Sequence, residues 1–125
     1  MNRNVLYDSA MKETFGDRIK RKRAENDLGL RATAREVGIS PTYLSRLESN
    51  QETSPPSEEK IRALANVLQD NFDELMQLAG RVSAEVTEFI KADLNMPAFL
   101  RRAREKKLTA EELMKLIEDQ DSKDK

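Results

Sequence analysis

The chain has 125 residues, with 22 Lys and Arg against 23 Asp and Glu for a net charge of −1, and it is 38% hydrophobic and 36% charged. That length accommodates one domain plus an extension; no apolar run approaches the roughly 18 residues of a membrane-spanning helix, and the N-terminus lacks the apolar stretch of a secretory signal, so the cytoplasm is the expected compartment. With no cysteine, no histidine, no glycine-rich phosphate loop and no clear carboxylate pair, the chain is expected to carry no disulfide, no metal, no cofactor and no enzymatic centre.

Residues 1–13 are weakly patterned and are expected to form an N-terminal arm, with Met11 an alternative start to Met1. Thr14 and Asp17 are placed to cap a first helix over 15–26, whose apolar face is Phe15, Ile19 and Ala24. Asp27-Leu28-Gly29 breaks it. The run Arg18, Lys20, Arg21, Lys22, Arg23 spreads over more than one turn, so most of it reads as a solvated face.

A second helix is expected over 30–37 and a third over 41–49. Small Ala34 lets two short helices approach, and Gly38 can take φ > 0 in the turn without a Cβ clash. Val37, Ile39, Leu44 and Leu47 supply the shared apolar contact. Ser40 is the N-cap of the third helix and Pro41 its first residue, where a missing N–H costs nothing. This spacing is that of a helix-turn-helix reading unit, whose second helix enters the DNA major groove.

NQETSPPS, residues 50–57, forms a loop because Pro55-Pro56 forbids helix; Ser57 caps a fourth helix over 58–69, with Glu58 and Glu59 in its favourable first turn and Ile61, Leu64, Ala65 and Leu68 inward. Asn71 with Glu74 forms a capping box for a fifth helix over 72–79, with Leu75, Met76 and Ala79 inward, ended by Gly80. Residues 81–120 contain three short amphipathic helices. Ser83 is placed to cap the first, Met96-Pro97 follows Asn95 to open the second, and Thr109 with Glu112 is a capping box for the third. Their apolar residues Val86, Phe89, Ile90, Phe99, Leu100, Leu113, Leu116 and Ile117 must pack against a second copy of the chain, the same domain or another protein, since such helices are too short to stand alone. Residues 119–125 are expected to fray, 121–125 as a charged tail.

Between Phe15 and about Gly80 the segments FGDRIKRKRAEN, REVGISPTYLSRLES and SEEKIRALANVL followed by FDEL occur in the order found in Cro/CI-type (xenobiotic-response-element) helix-turn-helix regulators, and the chain resembles that family over about half its length. The resemblance implies an all-α fold: a five-helix, lambda-repressor-like DNA-binding domain over 14–80, followed by a helical extension over 81–120. It implies base readout by Ser40, Pro41, Thr42, Tyr43, Ser45 and Arg46. Arg46 is the best candidate because guanidinium pairs bidentately with guanine O6 and N7. Tyr43 suits sugar and phosphate, and Pro41 has no side-chain hydrogen bond to offer. Phosphate contacts fall to the N-terminus of the second helix with Arg31 and Arg35, and to Ser49, Asn50, Gln51 and Thr53. Leu30 stands where many relatives carry Gln, which puts one family contact in doubt. Arg23 and Glu48 are expected to pair between the first and third helices.

Ten cations against seven anions in residues 1–50, and twelve against sixteen in 51–125, give a modestly basic N-terminal half despite the slightly acidic total. The expected function is a sequence-specific transcriptional regulator that binds double-stranded DNA as a homodimer, most simply a repressor at a two-fold symmetric operator. The alternative is an antitoxin-like or other regulator that engages a protein partner through 81–120.

Overall fold

Thr14 starts the first helix by turning its hydroxyl onto the chain that follows. Thr14 Oγ1 accepts a hydrogen bond from the Asp17 N–H at 3.0 Å, and Asp17 places negative charge in the first turn. The computed structural model describes residues 13–123; the expected start at Met1 or Met11 and nearly all of the arm lie outside the described residues. The helices are α1 (Phe15–Glu25), α2 (Leu30–Val37), α3 (Pro41–Glu48), α4 (Glu58–Leu68), α5 (Phe72–Leu78), α6 (Ala84–Ala92), α7 (Met96–Glu105) and α8 (Ala110–Lys123). No strand occurs among the described residues, and none of the described helices is long and apolar enough to cross a membrane. The fold is all-α, as the sequence implies.

Contacts divide the chain into two units, one ending at Ser83 and one beginning at Ala84. The first is built around α1 to α5. Ile19, Ala34, Leu44, Ile61, Leu64, Ala65, Leu68, Leu75 and Met76 form its buried core, with Phe15, Leu28, Leu30, Val37, Ile39, Phe72 and Ala79 packed around it. Each helix contributes one stripe at helical spacing, which is how five short helices that are individually marginal hold one another in place. Ala24 is not part of this core. It is exposed, because α1 turns only its Gly16–Ile19 side inward.

The caps decide where the helices stop. Gly38 ends α2 at φ 86° and Gly80 follows α5 at φ 73°. After α1 and α4, Asp27 and Gln69 take the same left-handed conformation, each at φ 53°. The Leu28 N–H then reaches Arg23 O at 3.0 Å and the Asp70 N–H reaches Ala65 O at 2.9 Å, closing the orphan carbonyls. Ser57 caps α4 through the Lys60 N–H at 3.2 Å. The Asn71–Glu74 capping box forms only by half: Asn71 Oδ1 accepts from the Glu74 N–H at 2.9 Å, but the Glu74 carboxylate accepts from Arg18 instead. An ionised guanidinium is the stronger donor.

In the second unit Thr109 and Glu112 form the complete box: the Glu112 N–H donates to Thr109 Oγ1 and the Thr109 N–H to Glu112 Oε1, both at 3.1 Å. From that start α8 continues to Lys123. Residues 119–123, which the sequence suggests would fray, lie within this helix. Glu111, Lys115, Asp119 and Lys123 place opposite charges four residues apart, a pattern that supports helix. Among the described residues of this unit, Ala103 is the buried apolar one. Val86, Phe89, Phe99, Leu100, Leu116 and Ile117 are exposed, as are Leu94, Leu108 and Met114; Ile90 and Leu113 are half-buried.

Candidate nucleic-acid interface

The turn between α2 and α3 is built from the residue types its geometry requires. The Gly38 N–H donates to Ala34 O at 2.9 Å and the Ile39 N–H to the same carbonyl at 2.9 Å. A side chain at Gly38 would meet nothing within 4 Å, so glycine serves there for its positive φ and not for space. Ser40 Oγ accepts from the Tyr43 N–H at 3.0 Å and Pro41 opens α3. Ala34 and Leu44 are fully buried and Leu47 nearly so, which leaves the other faces of both helices outward. Thr33 is also fully buried, its hydroxyl satisfied by Gly29 O at 2.8 Å.

On α3 the exposed residues are Thr42, Ser45 and Arg46, with Ser40 exposed just before it; Pro41 and Tyr43 are half-buried. Arg46 does not project freely. Its Nε lies 3.1 Å from Glu52 Oε1, in the loop that follows α3. Tyr43 has Lys60 of α4 over its ring, 5.7 Å from the centroid. Burial, and then the nearby Glu52 charge, raise the Tyr43 hydroxyl pKa against the opposing charge of Arg81. Arg31 and Arg35 of α2 are exposed and form no ion pair among the described residues. The α2 N-terminus has Gly29 at its cap with no side-chain hydrogen bond. Leu30 is packed against the core, so it offers no contact in place of the glutamine of relatives.

The stretch after α3 divides by role. Gln51 and Thr53 are exposed. The Ser49 hydroxyl donates back to Ser45 O at 3.0 Å and keeps only its acceptor side for a ligand. Asn50 takes φ 59°, and its Oδ1 accepts from the Gly16 N–H at 3.1 Å, tying the end of α3 to the first turn of α1. The Asn50 carbonyl is therefore a structural group, a use the sequence reading did not foresee.

Arg23 and Glu48 meet across α1 and α3. Arg23 Nε donates to Glu48 Oε2 at 2.7 Å and Nη2 to Oε1 at 2.9 Å, a bidentate fork, while Nη1 donates to Leu28 O at 3.0 Å. The side chains are 19% and 7% exposed. Hydrogen bonding to Glu48 outweighs burial and raises the Arg23 pKa further, so the charge is permanent.

The basic run of α1 is less solvated than its pattern suggests. Lys20 and Arg21 are exposed, but Arg18 is largely buried. Arg18 donates to both Asp70 oxygens at 2.9 and 2.8 Å and to Glu74 at 2.8 Å. Burial pushes the Asp70 carboxyl up, yet the hydrogen bonds from Arg18 and the Asn71 N–H, with the Arg18 charge, hold it below its ordinary value. Arg81, another residue the sequence reading passed over, donates to Pro56 O at 2.6 Å and fastens the segment after α5 to the loop before α4.

Residues 16–81 match a family model described as a helix-turn-helix domain. No curated protein matches the chain. Among solved structures, a chain of the SinR protein/SinI protein complex is similar at a TM-score of 0.46 and 23% identity, with 89% of this chain and 98% of that chain covered.

Proposed function

The chain belongs to the helix-turn-helix domain family of DNA-binding regulators, and from that premise we propose that it is a repressor that binds as a homodimer to a two-fold symmetric operator, α3 reading base edges and α2 gripping phosphate. The observation that carries this reading is the exposed set Thr42, Ser45 and Arg46 on one side of α3, together with the exposed guanidinium groups of Arg31 and Arg35 on α2, which form no ion pair among the described residues. Base edges in the major groove need donors and small apolar groups; phosphates need unpaired cations. The proposal makes the chain a binding protein and not an enzyme, consistent with a sequence that has neither histidine nor cysteine.

Selection of bound duplexes from a random DNA pool by the purified full chain tests the reading and yields the half-site. Arg46→Ala should weaken binding to the selected site by about 1–3 kcal/mol and abolish preference at one base pair of each half-site. Loss of the same size on every duplex would make Arg46 a phosphate contact.

One recognition helix reads too few base pairs to single out a site against ~10⁶ or more competitors, and a dimer with half-sites about one helical turn apart solves this. The second unit suits that role. Phe89, Phe99, Leu116 and Ile117 are at least half exposed. α7 and the turn after it carry Arg101, Arg102, Arg104, Lys106 and Lys107, while α8 carries Glu111, Glu112, Glu118, Asp119 and Asp121, so two copies have complementary charge to offer one another. Truncation after Ser83 keeps the Arg81 hydrogen bonds and should leave a folded, monomeric first unit with weak and poorly selective DNA binding. Sedimentation and DNA titration check both halves of that expectation. The same exposed apolar face favours a second reading, capture of a different protein through 81–120. A truncated chain that still dimerises and binds at full strength would point to it.

A further inference from the structure

We propose that Glu52 is a specificity-determining, positioning residue for DNA readout: its carboxylate holds the Arg46 guanidinium by Nε and aims the terminal amines at one guanine, while its charge penalises duplexes that cannot use them. This rests on the reading of Arg46 as a base contact.

The two side chains differ in freedom. Arg46 is 54% exposed and projects from α3, whereas Glu52 is 22% exposed and mostly covered by its own surroundings. The carboxylate is therefore the fixed partner. Its place is set by the turn that ends α3: the Gln51 N–H donates to Arg46 O at 2.9 Å and Asn50 adopts φ 59°, which folds the chain back so that residue 52 returns to residue 46. Asn50 is in turn held by the Gly16 N–H. The position of Glu52 thus derives from α1 and α3 packing and not from a loose loop.

The chemistry follows from which nitrogen is engaged. An ion pair at Nε occupies the inner edge of the guanidinium and leaves its outer edge, one N–H each of Nη1 and Nη2, to match guanine O6 and N7. A long side chain ordered before binding loses less freedom on binding. The carboxylate also has a cost, since it lies in the stretch Ser49–Thr53 that would face phosphate, where negative charge opposes binding to any duplex. A group that disfavours DNA in general and orders the one arginine of α3 acts on the difference between sites, which is specificity. Tyr43 feels the same carboxylate: the Glu52 charge helps raise its hydroxyl pKa, and Lys60 lies over its ring.

The test uses the full chain, a duplex selected from a random pool by the wild-type protein, the same duplex with each base pair replaced in turn, and an unrelated duplex. Arg46→Ala first identifies the base pair it reads. Glu52→Gln should then reduce discrimination at that pair at least about fivefold, with binding to the unrelated duplex equal or tighter. Glu52→Asp, which keeps the charge but shortens the reach, should lose discrimination with no gain on the unrelated duplex. In the Arg46→Ala background neither change should alter discrimination further. Ratios between duplexes are unaffected by a partly unfolded sample, so lowered stability does not mimic the result. If Glu52→Gln keeps the full ratio at the Arg46 base pair, or its effect persists without Arg46, the role assigned to Glu52 is wrong while base readout by Arg46 stands. If Arg46→Ala weakens all duplexes alike, the base-readout assignment fails and the Glu52 role falls with it.

Discussion

Glu48→Ala should destabilise the first unit by about 3 kcal/mol, the lower end of the range for removing one partner of a buried ion pair, because Arg23 retains some contact with water. The cost is not the loss of an attraction alone. The Arg23 guanidinium keeps its charge and its bond to Leu28 O, but its Nε and Nη2 donors would face an emptied site with no acceptor. Thermal or urea unfolding of the variant measures this. A double-mutant cycle with Arg23→Ala should return a coupling above about 1 kcal/mol; zero coupling would remove the pair from the account. DNA binding should fall in parallel with stability, since the pair fixes α3 on α1 and touches no face proposed for DNA.

Gly16→Ala should cost about 2–3 kcal/mol, and its sign is the informative part. At an ordinary helix position the same change stabilises by up to about 1 kcal/mol. At Gly16 a Cβ would sit 2.7 Å from Asn50 Oδ1 and 2.8 Å from Glu48 O, and closer still to Leu47 O. Two of these three neighbours are backbone carbonyls at the end of α3, which cannot rotate away, so the helices must part and the core between them must open. The variant should melt several degrees lower, with a smaller loss at Gly29, where a Cβ meets nothing within 4 Å. A Gly16→Ala protein as stable as the parent would show that the α1–α3 approach is looser than described. Because Asn50 also anchors the turn that carries Glu52, this substitution should disturb DNA selectivity as well as stability.

Much of this molecule is local in origin. Thr14, Ser40, Ser57 and Asn71 cap helices through bonds to an N–H three residues on, and such bonds depend on nothing beyond the segment itself. Gly38 and the Ser40-Pro41 step define the turn in the same way, and the apolar stripes of α1 to α5 follow from helical periodicity. Hence the five-helix order, the reading unit and most of the core were legible in the chain. Ala24 shows the limit, because periodicity names a stripe but not its width.

The long-range polar contacts were not legible, apart from the Arg23–Glu48 pair, which came from family resemblance and not from spacing. Asn50 to Gly16 spans 34 residues, Arg18 to Asp70 spans 52 and Arg18 to Glu74 spans 56. Arg18 and Lys20 look alike as members of one basic run, yet one is buried in an acidic clasp and the other faces water. So the sequence by itself determined the helices, most of their N-caps and most of the residues that turn inward, since these follow from dihedral preference and burial of apolar area within one segment. Only the tertiary structure decided which carboxylate each arginine meets, why Gly16 must be glycine and that Arg46 is held by Glu52. A charge carries no record in its own neighbourhood of the partner that packing will bring beside it, and the strength of the pair depends on distance and burial that exist only once the helices have docked.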